Sequence, residues 1–110
     1  MLREAVDLAY SRDLAIELGK VEEDFRKWRV GEIDEFELTE NIHKYHNGPA
    51  KDLFGKYVGN PFIDNLTASA LIDGLISSDE VPAELVEFLR PCVERVREVR
   101  ERHDRDFAEL

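Results

Sequence analysis

Apolar residues recur every three or four positions along most of the chain, the spacing of helices that bury one face. No segment of strand length alternates apolar and polar residues with a period of two. The sequence therefore predicts an all-α fold. The clearest stripe runs through the first 29 residues and consists of Leu2, Val6, Tyr10, Leu14, Leu18, Val21, Phe25 and Trp28.

Capping and helix-breaking residues divide this pattern into about five helices. Gly31 ends the first helix, and Asp34 begins the second as its N-cap. Asn47-Gly48-Pro49 and Gly59-Asn60-Pro61 close the second and third helices, and Pro82 opens the last. The predicted arrangement is an irregular bundle with long first and last helices, at residues 2–29, 34–46, 49–58, 61–76 and 82–107.

The fifth helix is predicted to extend beyond the core. At 1.5 Å per residue it would be about 39 Å long, whereas a compact domain of this size is about 34 Å across. Its stripe keeps register through Pro91, which predicts a kink rather than a stop. The stripe is formed by Leu85, Leu89, Cys92, Val96, Val99, His103 and Phe107.

The overhanging part of this stripe needs a cover, either the equally long first helix or a second copy of the chain. Two-fold homodimers are the commonest oligomers, which favours the second copy. The alternative is a monomer in which the two long helices pair with each other. The predicted interface comprises Val96, Val99, His103, Phe107 and Trp28.

Composition limits the classes of function. The 110 residues fit a single helical domain spanning residues 1–110, and a net charge of −10 argues against binding nucleic acid. No apolar run is long enough for a secretion signal or a membrane span. The single cysteine, Cys92, cannot form an internal disulfide, which fits a reducing cytoplasm.

The candidate chemistry lies in Glu40, His43 and His46, spaced three residues apart on the second helix. Neighbouring members differ by about 60° and 4.5 Å, so each pair can share a ligand, but Glu40 and His46 differ by about 120° and 9 Å. One divalent metal bound by all three would need a bent helix end. The fourth ligand would then be Asp52 or one of Asp64, Asp73 and His103.

The histidines also have a structural interpretation, in which His46 lies at the edge of the core and His43 packs on another helix beside Glu40. We therefore predict a noncatalytic, cytoplasmic helical module that contacts proteins, acts as a homodimer and needs no cofactor. One alternative is a metal-binding hydrolase or oxidase that uses Glu40, His43 and His46. A second is an acidic partner that masks a basic protein. No catalytic residue is assigned.

Overall fold

The computed structural model describes the backbone of residues 1–108 and the side chains of residues 1–105, and that part of the chain contains no strand. The predicted all-α fold with long first and last helices is confirmed. The helices are α1 (Leu2–Arg29), α2 (Glu35–Tyr45), α3 (Lys51–Tyr57), α4 (Ile63–Ile72) and α5 (Ala83–Ala108). A π-helical turn, His46–Ala50, lies between α2 and α3, and a 3₁₀ turn, Ser78–Glu80, precedes α5.

The predicted stop at Asn47-Gly48-Pro49 is wrong, because the chain stays helical from residue 35 to residue 57. Proline disrupts an α-helix because it lacks an N–H and its ring clashes with the carbonyl four residues earlier. A π turn widens the helix by one residue and relieves that clash. Beyond Pro49, the N–H of Lys51 donates to the carbonyl of Gly48. We call residues 35–57 the α2–α3 run. If this run is counted as one helix, the described part of the chain has four long helical segments rather than the five predicted.

Helix α4 ends at Ile72, four residues before the predicted end at Ile76. Gly74 has a positive φ of 73°, and the N–H of Leu75 bonds to the carbonyl of Ala70 at 3.0 Å. This is the Schellman motif that glycine favours at helix ends, and Gly31 ends α1 with the same conformation, as predicted. Ile76 is still buried, although it lies in the loop.

The chain divides into two compact units, residues 1–9 with 61–110 and residues 10–60. In the first unit, α4 packs against α5, which continues through Pro91 as predicted. Its buried polar groups are paired: the thiol of Cys92 donates to the side-chain oxygen of Asn65 at 2.9 Å. The apolar core of this unit consists of Ala5, Val6, Ala9, Ala68, Ala70, Ile76, Val81, Leu85, Leu89 and Cys92.

The second unit contains the rest of α1 and the whole α2–α3 run. Its buried side chains, among those described, are Leu38 and Tyr57. Many large apolar side chains of this unit are exposed instead, namely Ile16, Leu18, Trp28, Val30, Phe36, Ile42, Phe54 and Val58. With so few buried side chains, the second unit leaves much apolar surface available for contacts.

Candidate interaction surfaces

The predicted metal ligands are spread along the α2–α3 run. Glu40 and His43 lie on α2, His46 begins the π turn, and Asp52 lies on α3; all four side chains are exposed. Among the described residues, no group of three or more histidine, cysteine, aspartate or glutamate side chains is placed to hold a metal ion. The imidazoles of His43 and His46 are both exposed, so neither is packed into the core.

A side-chain network that the sequence analysis missed holds α3 against α1. Tyr57 is 3% exposed, and its ring stacks on Tyr10 with the ring centroids 4.9 Å apart. Its hydroxyl donates a hydrogen bond to the carboxylate of Asp13. The ammonium of Lys56 lies 3.7 Å from the same carboxylate. The network fixes which face of α3 is turned outwards.

Replacing Tyr57 with phenylalanine is expected to lower the free energy of unfolding by about 1–2 kcal/mol, because a partly buried hydrogen bond to a charged group is lost while the ring stacking remains. Urea denaturation measures the change. Tyr45→Phe serves as the control, since Tyr45 is only partly buried and lies outside this network. Equal stability of the Tyr57 and Tyr45 variants would show that the bond to Asp13 contributes nothing.

A groove of about 280 Å³ follows the π turn and the first turn of α3. It is lined by His46, Asn47, Ala50, Lys51 and Phe54, and none of these lining residues is acidic although the chain is acidic overall. The ring of Phe54 is 58% exposed. The groove therefore combines an aromatic wall with a basic rim.

The beginning of the α2–α3 run is acidic and exposes a phenylalanine, which complements the basic groove further along the run. Phe36 is 84% exposed, the highest value among the described large apolar side chains. Glu35 and Glu37 flank it, and the carboxylate of Asp34 accepts the N–H of Glu37 at 2.8 Å, which fixes the first turn. Before His43 the run carries only acidic charges, whereas after His43 it carries three lysines against Asp52 alone.

The stripe of α5, the predicted interface, passes from the core to the surface along the helix. Leu85, Leu89 and Cys92 are buried, Val96 is partly buried, and Val99 is 56% exposed. His103 is exposed as well, and on α1 Trp28 is 36% exposed. The side chain of Phe107, the last predicted interface residue, lies outside the described residues.

Arg100 borders the exposed end of this stripe and is held by α4. Its guanidinium donates to both carboxylate oxygens of Asp73, at 2.6 and 3.3 Å. The hydrogen bond to Asp73 raises the pKa of Arg100 above its usual value, and desolvation opposes this shift. Because Asp73 follows the last residue of α4, this bidentate pair ties the distal part of α5 to the end of that helix.

None of the helices in the described part of the chain combines the length and apolar character needed to cross a membrane. Comparisons of the chain with protein-family models, with curated proteins and with solved structures found no match.

Proposed function

We propose that the protein is a noncatalytic helical interaction module that works as a homodimer in the cytoplasm and without a cofactor. The observation that supports this most strongly is Phe36, exposed at one end of the α2–α3 run, with a basic aromatic groove at the other end. Moving one phenylalanine side chain out of water contributes about 1.5–3 kcal/mol. A second copy supplies the groove that each Phe36 needs.

The spacing along the run supports an antiparallel pair with a two-fold axis near His43. Residues equally distant from His43 then lie opposite each other: Phe36 faces Ala50 in the groove, and Glu35 faces Lys51. Two-fold symmetry makes each of these contacts twice. The same surface of each copy therefore supplies both the inserted phenylalanine and the groove that receives it.

The charges of the run favour the same orientation. In the antiparallel register Glu35 of one copy lies opposite Lys51 of the other, whereas a parallel pair would place Glu35 opposite Glu35 and Lys51 opposite Lys51. Exposed ion pairs contribute only about 0.2–1 kcal/mol each, so they select the orientation more than they supply the affinity. Most of the affinity comes from the two phenylalanine rings.

The free thiol of Cys92 is buried, which supports a reducing compartment. For the cofactor, the argument is geometric: Glu40, His43 and His46 are exposed, and among the described residues no three potential ligands are placed to hold a metal ion together. The module is therefore proposed to act through its surfaces.

Light scattering after size-exclusion chromatography tests the homodimer. At tens of micromolar we expect a molar mass twice the 12.7 kDa of one chain, falling towards that value on dilution. The measurement is made on tag-free protein at physiological salt, so that surface charges are normally screened. A mass of one chain over the whole concentration range would refute the proposal.

A further inference from the structure

The distal half of α5 carries an apolar seam that becomes exposed towards the end of the described part of the chain. Its apolar positions alternate in steps of four and three, the heptad spacing of a helix that pairs lengthwise with another. The seam continues from the core residues Leu89 and Cys92 to Val96, Val99 and His103. Val99 is 56% exposed, so the heptad pattern extends beyond the part of α5 that is buried within the molecule.

Arginines flank this seam. In the heptad, Arg95 and Arg102 lie on one side of the seam and Arg100 on the other. The acidic residues of the same segment lie further round the helix, towards the opposite face; they are Glu94, Glu98, Glu101 and Asp104. The seam is therefore bordered by positive charge although the whole chain carries a net charge of −10.

We propose that this seam docks an acidic amphipathic helix of a partner protein. Acidic residues beside an apolar stripe on the incoming helix would pair with Arg95 and Arg102 while its apolar residues cover Val96 and Val99. The molecule already satisfies the other flank in this way, since Arg100 is held by the carboxylate of Asp73 at 2.6 Å. The open flank is the one that carries Arg95 and Arg102, both exposed.

A second copy of the chain is a poor occupant of the same seam. In an antiparallel pair of identical helices, flanking positions of the same kind face each other, so Arg95 and Arg102 of one copy would meet those of the other. A parallel pair would set them against Arg100. Like charges facing each other disfavour both pairings, and this is why the homodimer is assigned to the α2–α3 run and the partner to α5.

The test uses the full chain and two designed helical peptides. Both carry leucine at the seam positions; one has glutamate and the other lysine at the flanking positions. Fluorescence anisotropy is expected to show the glutamate peptide binding about tenfold or more tightly than the lysine peptide, with the difference shrinking as salt is raised. Equal affinities, or no binding of either peptide, would overturn the proposal.

Matched charge reversals identify the surface. The double variant Arg95→Glu with Arg102→Glu should prefer the lysine peptide. The control Arg97→Glu with Arg105→Glu changes the net charge equally on the outer face and should keep the glutamate preference. If the control reverses the preference as fully as the seam variant does, the attraction is only to net charge and the proposal fails. Circular dichroism establishes that both variants fold.

This docking proposal uses a different helix from the proposed homodimer, so the two can fail separately. A variant that is monomeric because Phe36 is replaced should still bind the glutamate peptide. If instead the Arg95→Glu, Arg102→Glu variant changes the molar mass of the protein without its partner, the seam is occupied by a second copy and the docking proposal is wrong.

Discussion

Replacing Phe36 with lysine is expected to convert the dimer into a monomer of 12.7 kDa. The substitution removes an aromatic ring that is 84% exposed in the single chain and brings a positive charge to a groove already bordered by Lys51 and His46. Loss of an aromatic side chain that fills a pocket at an interface typically costs about 2 kcal/mol or more. Because each dimer loses two rings, we expect the dissociation constant to rise by about a thousandfold.

The fold itself should tolerate this change, since an exposed side chain away from special contacts alters the free energy of unfolding by about 0.5 kcal/mol at most. Phe88→Lys is the matched control, because Phe88 is 68% exposed but lies on α5 rather than on the α2–α3 run. That variant should remain a dimer. A dimeric Phe36→Lys protein, or equal dissociation of the two variants, would contradict the proposed interface.

A charge exchange tests the orientation of the pair. Glu35→Lys and Lys51→Glu should each weaken the dimer, because each places like charges opposite one another at two symmetric positions. The double variant restores opposite charges and should recover most of the affinity. The coupling should be about 0.2–1 kcal/mol per pair, which analytical ultracentrifugation at low salt can resolve. Additive losses in the double variant would exclude the antiparallel register.

The helices were predictable because their signals are local. The first helix spans Leu2–Arg29 as expected, since both its stripe and the glycine that ends it can be read within a few residues. Asp34 caps α2 as predicted, with its carboxylate on the N–H of Glu37. At Asn47-Gly48-Pro49 the same rules failed, because a π turn admits proline without ending the helix. Periodicity alone does not reveal that option.

The surfaces were harder to predict because they depend on contacts between distant residues. The spacing of Glu40, His43 and His46 fixes their relative directions on the helix, but not which direction points into the core. That choice is made by Leu38 and Tyr57, which are buried. The hydrogen bond of Tyr57 joins it to Asp13, 44 residues earlier, and no pattern in the sequence links the two.

Along α5, by contrast, the sequence predicts which residues form the apolar stripe. It does not predict where along the helix the stripe stops being buried by the rest of the protein. Leu89 and Val99 belong to the same stripe, yet Leu89 is 0% exposed and Val99 is 56% exposed. Burial of the first half follows from packing against α4. This change from core to surface within one helix is what the seam proposal requires, and it can be measured.

Leu89→Ala is therefore expected to lower the free energy of unfolding by about 2–5 kcal/mol, because it removes a fully buried side chain and leaves a cavity. Val99→Ala, ten residues further on the same stripe, should lower it by about 0.5 kcal/mol or less, since little of that contact area is buried. Urea denaturation of the two variants and the parent protein gives both values.

The ratio of the two losses in free energy of unfolding measures how far along α5 the apolar stripe is buried. Val99→Ala, which should change stability little, should weaken binding of the glutamate peptide in the docking experiment. The reason is that Val99 lies in the centre of the exposed part of the seam. A loss of stability for Val99→Ala close to that for Leu89→Ala would mean that the distal seam is packed in the free protein. A partner helix would then have to displace that packing before it could bind, and the open seam would no longer account for docking.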